Sequence, residues 1–221
     1  MLNRLTDTII VAGHYGSGKT NLSLNLALRL RNEGKPVTLC DLDVVNPYFR
    51  TADFRPMAEE KGIHLIVPTF AGSNLDVPAL TGELDARLGK GDCVIIDVGG
   101  DDDGAYALGR YAPKILQRPY TMLFVVNFFR YLTRTPEEAA PYLADIEAAS
   151  RLSFTHIVNN SNLAGQTTRQ DVEESIRKAK ELSRLTGKPL LFTAVREDLA
   201  PSLPREDIFP VGVYVKTLWQ E

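Results

Sequence analysis

Thr8-Ile9-Ile10-Val11-Ala12 runs straight into Gly13-His14-Tyr15-Gly16-Ser17-Gly18-Lys19-Thr20, and that octet into Asn21-Leu22-Ser23-Leu24-Asn25-Leu26-Ala27-Leu28. The β-branched run reads as a buried strand, the octet as a glycine-rich turn and the leucine-rich stretch as a helix. The octet has the spacing G-x-x-x-x-G-K-[ST], which between a strand and a helix is a phosphate loop. Its glycines let backbone N–H groups point inward at a phosphate chain. Lys19 brings a point charge to the distal oxygens, and the Thr20 hydroxyl is placed to ligate Mg2+. The positive end of the helix dipole adds to the same anion site. The expected ligand is a nucleoside triphosphate held by Gly13, His14, Tyr15, Gly16, Ser17, Gly18, Lys19, Thr20 and Asn21.

Strand-like and helix-like segments alternate from this turn to the end of the chain. Strands are expected at 36–41, 64–67, 92–97, 120–127, 154–159 and 189–194, and helices near Val77 to Leu88, from Gly104 to Leu116, after Thr135 and from Thr168 to Thr186. Thr135-Pro136-Glu137-Glu138 carries a capping box with proline at the first helical position. In the last helix Val172, Ile176, Ala179, Leu182 and Leu185 share a face, while Glu173–Arg177 and Glu174–Lys178 are i,i+4 pairs on the solvated side. The alternation predicts an α/β fold: a mostly parallel β-sheet with helices on both faces, a three-layer sandwich. The length of 221 residues suits one such domain, 1–221, and no repeat, linker or low-complexity stretch divides it.

Composition excludes several classes of function. A net charge of −3 lacks the basic excess of a sequence-independent nucleic-acid binder. No apolar run approaches the roughly 18 residues of a membrane span, and the N-terminus lacks the pattern of a signal peptide, so the cytoplasm is the expected compartment. Cys40 and Cys93 each fall inside an apolar strand, and no C-x-x-C occurs; they read as core residues.

Parallel sheets place ligand chemistry at the carboxyl ends of their strands. Asp97 ends the run Cys93-Val94-Ile95-Ile96 and is followed by Val98-Gly99-Gly100. An apolar strand closing on Asp is the pattern of a Mg2+-holding carboxylate, and the glycines suit a loop that approaches the terminal phosphate. Asp41 and Asp43 end the second strand and face one side of an extended chain. One of the two could orient an attacking water or bind metal while the other is held by a neighbouring hydrogen bond. Asp101-Asp102-Asp103 reads as a solvated acidic run.

With the phosphate loop, Asp41-x-Asp43 and Asp97-x-Gly-Gly in place, the chain resembles the MinD/ParA (CobQ/CobB/MinD/ParA-type) P-loop ATPases, in the SIMIBI-like class that also holds the nitrogenase iron protein. Asn127, Arg130 and Thr133 resemble a recurrent asparagine–arginine segment of such proteins, and Asp76 to Leu80 is also similar to relatives. His156-Ile157-Val158-Asn159-Asn160 matches the place where the family recognises the base, which makes Asn160 a nucleotide-binding candidate. The resemblance implies ATP with Mg2+, metal ligands Thr20, Asp43 and Asp97, Lys19 and Asp43 in catalysis, a homodimer, and a conformational switch coupled to a protein partner. Adenine is implied over guanine because Asn159-Asn160-Ser161-Asn162 stands where an N-K-x-D would be.

One departure changes the reading. Members of the MinD/ParA branch carry a second lysine immediately after the first loop glycine, and this chain has His14. An imidazole near its ordinary pKa of about 6.5 is mostly neutral and shorter than lysine. Its alternatives are a hydrogen bond to phosphate or a structural or partner-facing role. Relatives without that lysine include the dethiobiotin and cobyric acid synthetases. A kinase or amide- or ring-forming synthetase with a small-molecule acceptor beside Asn46, Tyr48, Phe49 and Arg50 is therefore the second reading, and a non-hydrolysing nucleotide-sensing adaptor the third. The tail from Gly212 to Glu221 has a single lysine and alternates, which suits docking onto the core rather than a membrane helix.

Overall fold

A computed structural model describes residues 2–42, 54–67, 77–100, 102–204 and 207–215, the side chains of 77–81 and 102 excepted. Eight strands form one sheet: β1 (Thr8–Ala12), β2 (Val37–Leu42), β3 (His64–Ile66), β4 (Cys93–Val98), β5 (Thr121–Val126), β6 (His156–Asn159), β7 (Leu190–Arg196) and β8 (Ile208–Val211). Their order is β3-β2-β4-β1-β5-β6-β7-β8, and every adjacent pair is parallel. The helices are α1 (Lys19–Asn32), α2 (Arg55–Glu60), α3 (Val77–Arg87), α4 (Asp102–Gly109), α5 (Ala112–Ile115), α6 (Pro136–Ser150) and α7 (Arg169–Thr186).

Strand parity builds the layers. Ile10, Cys40, Ile96 and Phe124 pack with Leu84, Leu108, Leu143 and Leu182 of α3, α4, α6 and α7. Their strand neighbours Ile9, Leu39, Ile95 and Leu123 pack instead with Leu22, Leu26 and Leu30 of α1 and Ala58 of α2. Alternate residues thus bury into opposite helix layers, which is why these strands read as continuous apolar runs. Cys40 and Cys93 sit inside those layers as expected, and burial pushes the Cys93 thiol up to about 11 and the Cys40 thiol higher still.

Local chemistry sets the helix ends. Thr135 accepts from the Glu138 amide at 3.3 Å while Glu138 Oε2 accepts from the Thr135 amide at 3.2 Å, the expected capping box. Thr168 and Asp171 form a second one on α7. The Glu174–Lys178 pair forms at 3.4 Å, whereas Glu173 pairs with Arg169 at 2.7 Å rather than with Arg177. Leu185, expected on the apolar face, is exposed.

Two boundaries differ from the sequence reading. The segment expected as one helix from Gly104 to Leu116 is two, because Pro113 has no N–H and its ring would strike the carbonyl four residues back. Beyond the strand expected last lies β8, which contains Pro210. Proline is tolerated there because β8 is an edge strand, free of a ladder on its outer side. The tail docks on α1, as expected, over its described part. Asn25 Oδ1 accepts from the Gly212 amide at 2.8 Å, and Asn21 Oδ1 from the Tyr214 amide at 2.9 Å. Residues 216–221 lie outside the described residues. Among the described residues no helix is long and apolar enough to cross a membrane.

Candidate functional site

The strand order reverses direction at β1, whose neighbours are β4 on one side and β5 on the other. Such a switch point opens a crevice at the carboxyl ends of the strands. The octet from Gly13 to Thr20 fills the end of β1. Gly16 and Gly18 adopt φ of 72° and 85°, in the left-handed region that side chains disfavour, and the Ser17 amide closes the turn on the His14 carbonyl at 3.2 Å. Gly18 is also the N-cap of α1, and no side chain caps that helix, in contrast to the threonine caps of α6 and α7. A helix start whose N-cap has no side chain suits an anion.

Lys19 is buried, and its ammonium donates to the His14 carbonyl at 3.3 Å, inside the turn. Gly100 comes directly over it: a Cβ there would lie 2.7 Å from Lys19 Nζ and 2.6 Å from the Tyr15 Cα. The loop after β4 therefore lies against the phosphate loop, where the sequence expected it. Thr20 lies half-buried in the first turn of α1.

Asp97 is buried at the end of β4 and accepts from the Ser23 hydroxyl at 3.1 Å. Ser23 lies three residues after Thr20, hence on the same helix face, a spacing from which it was legible but which the sequence reading did not use. Asp41 is buried in register with Asp97 on the adjacent strand, so both carboxylates face the α1 layer. Two like charges in neighbouring strands favour a cation between them and the loop. Hard oxygen donors of this kind, the Thr20 hydroxyl and the Asp97 carboxylate, suit Mg2+. Asp43, and with it Asn46, Tyr48, Phe49, Arg50 and Asp76, lies outside the described residues.

Two of the expected nucleotide-binding residues make side-chain contacts within the protein. The Asn21 side chain is turned to the tail, donating to the Gly212 carbonyl at 3.0 Å. Asn160 is buried and donates through Nδ2 to the Ser17 carbonyl at 2.7 Å, bracing the loop from behind. His14 packs edge-on against Tyr142 of α6, with ring centroids 4.5 Å apart, and its Nδ1 lies 3.0 Å from the Tyr15 carbonyl. No local pattern announces Tyr142, which arrives from another helix. Tyr15 is exposed.

Burial holds the His14 imidazole below its ordinary value; the Lys19 charge acts in the same direction and the Tyr15 carbonyl opposes it. His156 is lowered as well, by burial and then by Arg4. A histidine whose folded pKa is lowered leaves the unfolded chain holding the extra proton, so stability falls as pH drops below about 6.5. The melting temperature is expected to decrease on acidification from about pH 7.5 to about pH 6, well above the carboxylate range. His14→Phe, which keeps a ring against Tyr142, should flatten that slope in parallel melts; an unaltered slope in both His14→Phe and His156→Phe would contradict the assignment.

Comparison with known proteins follows this geometry. Over 201 residues the chain is 27% identical to the signal recognition particle protein of Mycobacterium leprae, matching 86% of this chain and 35% of that one. The chain thus spans about a third of the length of that curated relative. The cell division protein FtsY of Thermotoga maritima superposes with a TM-score of 0.62 at 23% identity, over 93% of this chain and 65% of that one. The fold is that of a SIMIBI-class P-loop NTPase. Signal recognition particle 54 kDa protein from Aeropyrum pernix, solved in complex with GDP, gives 0.57 at 20% identity over 84% of this chain and 40% of that one. A nucleotide-binding protein from Archaeoglobus fulgidus, solved in complex with ADP, gives 0.53 at 17% identity over 87% and 82% of the two chains. No family model matches the chain. Within the SIMIBI class, both guanine and adenine nucleotides therefore appear in complexes of this fold.

Proposed function

We propose that this SIMIBI-class protein binds ATP with Mg2+ in the crevice above β1 and hydrolyses it, in the manner of the MinD/ParA-like ATPases. Nucleotide state would then set a conformational switch and the affinity for a protein partner. The observation that carries the proposal is the loop from Gly13 to Thr20 closed around the Lys19 ammonium, with Gly100 over it and Asp97 bonded to Ser23 of the helix that the loop opens. Lys19 and the loop amides stabilise charge on the transferred phosphoryl group. Thr20 and Asp97 would hold Mg2+, whose charge would offset that of the phosphate oxygens. Asp43 orients the water that adds to the γ-phosphorus as the bond to the β–γ bridging oxygen breaks, leaving ADP and inorganic phosphate.

Adenine is favoured by the end of β6, where Asn159-Asn160-Ser161-Asn162 carries no carboxylate to accept from the N–H groups of guanine. Guanine is the second reading, and what favours it is the identity to a signal recognition particle protein together with the GDP complex of this fold.

The full chain incubated with Mg2+ and either nucleotide separates these readings. Slow release of inorganic phosphate from ATP without any added substrate is expected. Release from GTP alone would favour the second reading. Release only after a small-molecule acceptor is added would indicate a kinase or synthetase, and tight binding with no release would indicate a sensor.

A further inference from the structure

The corner that follows β5 reaches back over the phosphate loop and is fixed at both ends. Asn127, buried at the end of β5, accepts through Oδ1 from the Phe129 amide at 3.0 Å, and its carbonyl accepts from the Arg130 amide at 3.1 Å and the Thr133 hydroxyl at 2.8 Å. The Phe128 amide donates to Ser161 Oγ at 2.9 Å, tying the corner to the end of β6. From this mount Arg130 extends along the outside of the loop. Its Nε donates to the Gly16 carbonyl at 2.8 Å. A Cβ on Gly16 would lie 3.2 Å from Nε and 3.4 Å from Cζ, so the guanidinium rests on the crest of the turn.

Asn160 makes the matching contact one peptide further on, to the Ser17 carbonyl. Two successive peptide groups are therefore gripped by their oxygens from outside. A donor on a peptide oxygen polarises the N–H of the same peptide and fixes which way it points. Of those N–H groups, that of Ser17 donates to the His14 carbonyl at 3.2 Å and closes the turn, and that of Gly18 leads into α1.

Charge supports the same assignment. His14 occupies the position of the second lysine but is held toward its neutral form against Tyr142. Among the described residues Arg29, Arg87, Arg169, Arg184 and Arg196 pair with carboxylates, and Arg130 does not. Its charge is left to the loop.

We propose that Arg130 is a positioning residue of the phosphate site: its guanidinium holds the Gly16 peptide, and with it the closed turn of the loop, and supplies the second positive charge that His14 does not. The proposal rests on the reading of the loop as a nucleotide site. It acts on phosphate and is indifferent to the base.

Titration calorimetry on the full chain with Mg2+ and ATP, GTP or inorganic tripolyphosphate tests it, using Arg130→Ala, Arg130→Gln and Arg130→Lys. Loss of a charge-assisted hydrogen bond predicts that the Ala variant weakens whichever nucleotide binds, and tripolyphosphate, by one shared factor of about tenfold to a hundredfold. The Gln variant should be as weak, and Lys should recover to within about threefold of the wild type because it restores the charge. Melting without ligand should be the same in all four proteins, since the side chain is exposed. Ala binding within about twofold of the wild type overturns the proposal. So does a loss confined to nucleotides with tripolyphosphate unaffected, which would mean contact with base or ribose, or full recovery by Gln, which would mean that charge is irrelevant. A wild-type protein that binds none of the three ligands refutes the nucleotide reading itself, before any variant is compared.

Discussion

Lys19→Ala is expected to lower nucleotide turnover by about a hundredfold or more, the scale on which preorganised charge stabilisation is lost when its donor is removed. The ammonium is held at 3.3 Å from the His14 carbonyl inside a turn whose remaining donors are neutral amides. Removing it leaves the loop's shape and takes away its central charge. Stability should respond little. A buried cation carries a desolvation cost that alanine does not, and this offsets the hydrogen bond lost at His14. Melting without nucleotide is therefore expected to stay close to the wild type while binding and phosphate release collapse. Unchanged affinity and turnover in a folded variant would remove Lys19 from the site.

Asp97→Asn should remove the Mg2+ dependence of turnover and lower the Mg2+-stimulated rate by about a hundredfold, as expected when an electrostatic element of a phosphoryl-transfer site is lost. Asparagine keeps the shape and still offers an oxygen to the Ser23 hydroxyl, so α1 and β4 should remain joined. Because Asp41 lies in register on the neighbouring strand, neutralising Asp97 also removes a like-charge repulsion between buried groups. The metal-free variant should accordingly melt at or above the wild-type temperature. Turnover titrated with Mg2+ decides the matter; a wild-type Mg2+ response in the variant would move the metal elsewhere. Equal loss of stability and activity would reduce Asp97 to a structural role.

Much of this fold was legible because its signals are local. Parallel strands buried on both faces read as unbroken apolar runs, and the threonine caps of α6 and α7 stand where the capping chemistry put them. Where one residue could serve two geometries, the pattern failed: Pro113 ends one helix and starts another, and Pro210 sits in an edge strand beyond the strand expected last. The site divides in the same way. The octet and Asp97 are strand-end features, readable from neighbours in sequence. Their supports are distant in the chain: Arg130 on Gly16, Asn160 on Ser17, Tyr142 on His14 and the tail on Asn21 each depend on which strand ends the topology brings together. The expected roles of Asn21 and Asn160 illustrate the difference, since both asparagines stand beside the loop yet spend their amide nitrogens on backbone carbonyls.

Hydrogen exchange of the full chain, resolved to the amides of residues 13 to 20, tests most directly whether the main chain wraps a triphosphate. Addition of Mg2+ and ATP should slow those amides, with little change in the already buried strands β4 and β5, and Lys19→Ala should abolish the effect. Exchange rates across the loop that stay the same with saturating ATP or GTP would contradict the account.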